Sequence, residues 1–313
     1  MSVTKINTLE MGKPISVPKP LSTEQVRFFV ENGYLIMPGL VDQSGVAEMC
    51  ADLLKLARGG YPCESIKPLP AELSDQAALS RLLCIHQPHY VSPVIQKYVK
   101  HPAICGVLSQ ITAAHLPYWD GSVNCMQSMM FVKPPGFQGQ AWHQDEIYIP
   151  TRDRSLIGAW IALDDATREN GCLYVIPGSH REGLLWPQKP HNNEDEFDFT
   201  PESYGFNEAL EIPVEVPRGT VVFFNGYLLH RSRKNRSKIY RRVLVNHYCN
   251  AWSRLPWHVK EGESPASANR RCIVPVSGVD PYFWQGFEEQ PRNVFLRTCK
   301  ATQAIEAAAP TTT

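Results

Sequence analysis

Gln140-Ala141-Trp142-His143-Gln144-Asp145-Glu146-Ile147-Tyr148-Ile149 reads as one extended strand, preceded by the turn residues Lys133-Pro134-Pro135-Gly136. Side chains alternate across a strand, so His143 and Asp145 project to one face while Gln144 points away. An imidazole and a carboxylate thereby stand side by side. A His-x-Asp pair alone decides little, since the histidine and aspartate content of the chain yields about 0.35 such pairs by chance. Its meaning depends on the segments around it.

From Asn124 onward the chain is a succession of short β runs, at residues 126–133, 140–149, 156–164, 172–177, 211–216, 220–225, 227–232 and 240–249. Turn residues such as Glu169-Asn170-Gly171 and Pro217-Arg218-Gly219 separate them. No helix-sized segment intervenes as βαβ units require, so the pattern predicts an all-β core, a cupin-like double-sheet jelly roll, in preference to a parallel α/β sheet.

Upstream the texture is helical. Ser22-Thr23-Glu24-Gln25 has capping-box spacing ahead of an apolar run that closes at Asn32-Gly33, and a short strand begins at Tyr34. Residues 41–58 form a second helix, residues 61–80 are proline-bearing and irregular, and residues 91–108 make two helical pieces broken at His101-Pro102. The expected organisation is a flexible N-terminal arm at 1–20 and a single domain over 21–300. That domain comprises flanking N-terminal α-helices at 21–120, a barrel core at about 124–250 and a covering segment at 251–300, with a disordered tail at 301–313. The acidic, aromatic-spotted stretch 187–206 suits either a lid or a solvated insertion.

Lysine plus arginine equals aspartate plus glutamate at 31 each and the pI is near 7.1, so no global field draws the chain to nucleic acid or to an anionic membrane. No run reaches the roughly 18 apolar residues of a membrane span. Small molecules are the expected partners. Nine scattered cysteines, an odd number without a Cys-x-x-Cys pair, suit a reducing, cytoplasmic setting.

His230, on a later strand, is the candidate third ligand. Two histidines and a carboxylate on one face of a metal leave positions open for a co-substrate and dioxygen, the arrangement of non-haem Fe(II) oxygenases. A carboxylate-bearing co-substrate needs a bidentate, permanently charged anchor, which is arginine chemistry. Arg241 lies on the next strand, and by strand parity only one of Arg241 and Arg242 faces inward. Ser232 shares parity with His230, so its hydroxyl can join Arg241. His247 shares parity with Arg241 and suits a hydrogen-bonded interior histidine. His180 reads as a turn residue, and His86, His89, His101, His115, His191 and His258 as surface or structural.

In order, His143-Gln144-Asp145, Trp160, Asn170-Gly171-Cys172-Leu173, Pro177-Gly178-Ser179-His180, His230-Arg231-Ser232 and Arg241 resemble the motif series of the phytanoyl-CoA dioxygenase family. The resemblance runs from about Met129 to Tyr248. It implies a double-stranded β-helix that uses Fe(II) and 2-oxoglutarate, with His143, Asp145 and His230 as iron ligands. It further implies that Arg241, assisted by Ser232, binds the distal carboxylate of 2-oxoglutarate, with Trp160, Met129 and Gln144 as further co-substrate contacts. A polar family contact upstream of Met129 falls to Arg81 or Gln127. In halogenating relatives a small residue vacates the carboxylate position; Asp145 fills it here, which favours oxygen transfer. The implied reaction hydroxylates, or otherwise oxidises, a C–H bond of a small organic metabolite with O2 while 2-oxoglutarate becomes succinate and carbon dioxide. Competing readings are a cupin-type metalloenzyme that dispenses with 2-oxoglutarate and a catalytically inactive sensor that keeps the barrel.

Overall fold

The computed structural model describes residues 12–63, 65–66, 68–69, 71–151, 153–253, 271–287 and 294–298. Two antiparallel sheets face each other. The larger is ordered β1 (Tyr34–Met37), β10 (Val221–Asn225), β5 (Ile157–Ala162), β12 (Arg241–Asn250), β3 (Val123–Lys133), β2 (Leu82–His86) and β14 (Phe295–Thr298), with β13 (Val274–Ser277) also paired to β3. The smaller is ordered β4 (Gln140–His143), β11 (His230–Ser232), β6 (Leu173–Val175) and β9 (Ile212–Val214). β7 (Gln188–Lys189) and β8 (Glu202–Ser203) form a separate hairpin. This is the double-stranded β-helix, and each of the eight anticipated β runs contains a strand.

Alternation along the large sheet sorts its side chains. Met130, Val132, Ala159, Ile161, Val221, Phe223, Leu244 and Tyr248 pack outward against the helices, in a core with Met49, Leu53, Leu56, Ile95, Ile104 and Leu108. Trp160, Ala162, Val222, Phe224, Val243 and Val245 point inward, toward Trp142, Leu173 and Val175 of the small sheet. All six residues of β5 are buried because this strand is covered on both faces. The Tyr248 hydroxyl donates to Val99 O at 3.0 Å, tying the helical layer to the barrel.

The helices begin where their caps put them. Ser22 and Gln25 make the full capping box of α1 (Thr23–Asn32), which ends at Gly33 with φ 79°. Asp42 caps α2 (Gln43–Ala57), and α4 (Pro93–Val99) and α5 (Pro102–Ile111) are separated at His101. The structure adds α3 (Asp75–Ser80), capped by Ser74, within the stretch 61–80 that the sequence reads as irregular. It also adds β2, β7, β8, β13 and β14; the partners of β2, β13 and β14 are distant in sequence, so local periodicity did not reveal them.

The strand expected over 140–149 stops at His143, and Asp145–Ile147 is a single 3-10 turn. Glu146 causes the departure: its buried carboxylate accepts from Thr151 N at 2.5 Å and Thr151 Oγ1 at 2.8 Å, folding the chain back. Of the stretch 1–20, residues 12–20 are described, and Ile15 exchanges backbone hydrogen bonds of 2.8 and 2.9 Å with Gly278. The tail 301–313 and His258 lie outside the described residues.

Gly139, at the entry to β4, lies so close to β11 that a Cβ there would stand 1.8 Å from Ser232 O. Gly139→Ala is therefore expected to cost about 3 kcal/mol in urea unfolding, because backbone cannot yield as a side-chain tip can. Gly136→Ala meets open space and has only its φ of 81° against it, so it should cost about 1 kcal/mol.

Candidate active site

β4 and β11 are antiparallel neighbours, and their register sets His143 directly opposite His230. The two rings stand 4.1 Å apart. Each imidazole uses Nδ1 in the same way, bonding the carbonyl two residues before it: His143 to Ala141 O at 2.8 Å, His230 to Leu228 O at 2.9 Å. Carbonyls only accept, so both Nδ1 atoms carry the proton and both Nε2 lone pairs are free. These Nε2 atoms each lie 3.7 Å from Asp145 Oδ1. One ligand atom from each of the three side chains falls within 4.8 Å of the others, among residues that are buried or nearly so. Two neutral imidazoles and a carboxylate converging on one point fit a divalent metal of the iron type.

The second oxygen of Asp145 is also held. His247, on β12 of the large sheet, bonds Asp145 Oδ2 at 2.9 Å and so fixes the rotation of the carboxylate. Burial opposes ionisation of Asp145, but the surrounding imidazoles, His230 and His247 foremost, outweigh it and hold the carboxyl well below the usual range. Burial first, and then His230, lowers His143 to about 4, so its Nε2 is unprotonated at neutral pH.

A cavity of about 390 Å³ opens from this point between the sheets. Its far end is cationic. Arg241 is 5% exposed, its Nε is buried without a partner, and among the described residues no carboxylate pairs with it. Burial lowers its pKa to about 10, leaving it charged at neutral pH. The guanidinium lies 5.7 Å from the Trp160 ring. Arg242 points the other way, to Asp164 at 2.7 Å, as strand parity predicts.

Lys133, opposite Arg241 in the β3–β12 register, is a site residue that the sequence reading passed over. Its Nζ donates to Ser232 Oγ at 2.9 Å and Arg233 O at 2.7 Å. Burial, with Arg241 beside it, pushes its pKa well below the ordinary lysine range. Ser232 Oγ also accepts from Gln140 N at 3.2 Å. With both lone pairs engaged, the Ser232 hydroxyl has only its hydrogen left for the cavity. The signal available in sequence was parity: Lys133 is four residues after Met129 and faces the same way.

Met129 and Trp160 line the cavity, sharing with Val245 one rung of the large sheet. Gln127 lines it too, whereas Arg81, the C-cap of α3, is not among the lining residues. The expectation of a co-substrate contact from Gln144 is corrected: its amide donates to Leu184 O at 2.8 Å and Tyr227 O at 2.7 Å and accepts from Trp186 N at 2.8 Å. That side chain staples the segment after the turn rather than facing the cavity, as alternation along the strand demands. His86 is likewise corrected from a surface or structural residue to a cavity wall. His180 bonds Val30 O at 3.0 Å, far from any ligand role. The acidic stretch contributes Asp198 and Thr200 to the lining, which favours its lid-like reading.

The sequence matches the phytanoyl-CoA dioxygenase (PhyH) family over residues 29–243. Phytanoyl-CoA dioxygenase 1 of Oryza sativa subsp. japonica is 29% identical over 271 residues, covering 76% of this chain and 93% of the relative. The peroxisomal phytanoyl-CoA dioxygenase of Homo sapiens is 26% identical over 250 residues, covering 74% and 69%. The fold is shared with the non-haem α-ketoglutarate-dependent carbocyclase SnoK from nogalamycin biosynthesis, at TM-score 0.59 and 22% identity over 85% of this chain and 100% of that one. It is shared also with EctD from S. alaskensis, at TM-score 0.58 and 20% identity over 86% and 91%. No helix among the described residues is long and apolar enough to cross a membrane.

His247→Ala should free the Asp145 carboxylate to rotate and weaken divalent-metal binding about 10- to 100-fold, read by calorimetric titration, with the fold retained. Acid should destabilise the metal-free protein. Burial holds His86, His89 and His143 at about 4 against an ordinary 6.5, so unfolding takes up protons between those values. Their stabilisation is complete above pH 6.5 and is lost as pH falls toward 4, with a slope of up to about 4 kcal/mol per pH unit in urea unfolding.

Proposed function

The chain belongs to the phytanoyl-CoA dioxygenase family of Fe(II)- and 2-oxoglutarate-dependent oxygenases, and from that membership we propose how its own residues divide the work. His143 Nε2, Asp145 Oδ1 and His230 Nε2 hold Fe(II). Arg241 takes the distal carboxylate of 2-oxoglutarate through a bidentate contact, Ser232 donates its remaining hydrogen to the same group, and Trp160 and Met129 wall the carbon chain. The reaction hydroxylates, or otherwise oxidises, a C–H bond of a small organic metabolite, consuming O2 and converting 2-oxoglutarate to succinate and carbon dioxide. The observation that carries this reading is the convergence of both Nε2 atoms on Asp145 Oδ1 at 3.7 Å, with both Nδ1 atoms already committed elsewhere.

The bound iron supplies the electron-transfer chemistry that dioxygen reduction requires; the protein supplies position and charge. His247 keeps one carboxylate oxygen of Asp145 occupied so that the other faces the metal. Lys133 orients the Ser232 hydroxyl and makes that end of the cavity rich in donors. Val245, Phe224 and Trp160 supply apolar wall in the middle of the large sheet, which strengthens the charge interactions beside it. A cupin-type reaction without 2-oxoglutarate gives the buried Arg241 no anion, and an unpaired buried charge costs several kcal/mol. The eight free cysteines of the described residues suit a reducing compartment such as the cytoplasm.

Arg241→Met is expected to raise the dissociation constant for 2-oxoglutarate at least about 100-fold and to suppress succinate formation equally, while iron binding stays within a few-fold. His143→Ala should instead abolish iron binding. Succinate formation that survives loss of Arg241 would overturn the co-substrate assignment, and iron retained at full affinity by His143→Ala would overturn the metal assignment.

A further inference from the structure

The large sheet sets out the cavity wall rung by rung. Phe295, His86, Met129, Val245 and Trp160 are register partners across β14, β2, β3, β12 and β5, and all five line the cavity. The next rung toward Arg241 carries Arg297, Cys84, Phe131 and Val243. Arg241 and Trp160 therefore stand in the middle of the sheet. His86 and Arg297 stand at its β2–β14 edge, two or three strands and roughly 10–15 Å to the side. That edge is not used by the proposed co-substrate contacts.

It is also polar and unsatisfied. His86 is 8% exposed, and among the described residues neither of its ring nitrogens has a hydrogen-bond partner. Its ring stacks on Phe295 with centroids 4.2 Å apart and planes 9° from parallel, so its orientation is set. Burial foremost, and then Arg297, lowers its pKa to about 4, so at neutral pH it offers one N–H donor and one acceptor. Among the described residues Arg297 makes a single long polar contact, Nη2 to Asp198 Oδ2 at 3.5 Å, and it lies 5.1 Å from the Phe199 ring. Charge-assisted pairs normally close to about 2.7–2.9 Å, so most of the guanidinium's donor capacity is unspent. Asp198 Oδ1 is saturated by Thr200 N and Oγ1, which leaves Oδ2 as its free acceptor. Asp198 and Thr200 come from the acidic stretch and line the same cavity.

Resting on the oxygenase reading above, we propose that His86, Arg297 and Asp198 form the primary-substrate subsite, and that it selects a small zwitterion: a carboxylate on Arg297 and the His86 N–H, an ammonium group on Asp198 Oδ2. A plain carboxylate would draw Arg297 away and strand Asp198 beside the cavity without a counter-charge; a plain amine would strand Arg297. A molecule carrying both groups opens the loose pair and re-pairs each half. The subsite stays neutral, and neither half-buried charge is left alone.

The test is calorimetric titration of the Ni(II)- and 2-oxoglutarate-loaded protein with the common L-amino acids, their N-acetyl derivatives and their carboxamides, with succinate formation by the iron enzyme measured in parallel. At least one amino acid should bind and stimulate succinate formation, and its N-acetyl and carboxamide analogues should bind about ten-fold more weakly or worse. Asp198→Asn should erase the discrimination against the N-acetyl analogue, and Arg297→Met that against the carboxamide; His86→Phe should weaken the amino acid about ten-fold. Asp198 and Arg297 are partly exposed, so these two variants keep the test informative should His86→Phe fold poorly. The proposal is overturned if no zwitterion binds, if a single-charge analogue binds as tightly, or if discrimination survives both variants. The same titrations report 2-oxoglutarate binding first: its retention while zwitterions fail sinks only the subsite, whereas its absence from the wild type sinks the oxygenase reading.

Discussion

Everything in this molecule depends on one cross-strand pair, His143 opposite His230. A sheet register is an integer quantity: slipping β4 against β11 by one residue would turn one imidazole to the opposite face. The register is held by close backbone approach at Gly139, by the bond from Gln140 N to Ser232 Oγ, and by β6 and β9 completing the small sheet. The two Nδ1–carbonyl bonds then convert a register into a direction, since each ring has one rotation that satisfies them. Metal chemistry needs atoms placed to a few tenths of an ångström, and these backbone hydrogen bonds orient both imidazoles toward that end.

The third ligand is supplied differently. Asp145 stands two residues past His143 but outside the strand, in a 3-10 turn stabilised by Glu146 and Thr151. Its orientation comes from across the sandwich, through His247 on β12. The site thus bridges the two sheets, and β12 serves both ends of it: His247 steadies the metal carboxylate, and Arg241, six residues earlier on the same face, waits at the co-substrate end. A single strand of the large sheet sets the spacing between them.

Charge is segregated along the cavity. Asp145 stands at one end among three imidazoles, and Arg241 and Lys133 at the other, each desolvated by the apolar barrel. Desolvation makes these groups expensive unless a ligand of complementary charge completes them. The folded protein therefore stores part of its recognition of an anion and a cation as unsatisfied electrostatics. The same logic recurs at the β2–β14 edge, where Arg297 and Asp198 face each other across a gap too long for a firm bond.

Strand and helix periodicity, capping residues and turn signals in the sequence sufficed for the architecture: the eight core β runs, the capping box of α1 and the break at His101-Pro102 each depend on neighbours a few positions away. His143, Asp145, His230, Ser232 and Arg241 were legible from residue type and strand parity, whereas Trp160 and Met129 were named only through the resemblance to the family's motif series. The rest was decided by tertiary contact. Glu146 reaching Thr151 ended the β4 strand early, Gln144 was drawn to the backbone near Leu184, and β14 brought Arg297 and Phe295 back across more than 200 residues to β2 and the cavity. Lys133 and His86 became site residues only through register with Arg241 and Met129. Periodicity tells which way a side chain points, but which strand lies opposite is a long-range choice made by the packing of the whole barrel, and no local pattern records it.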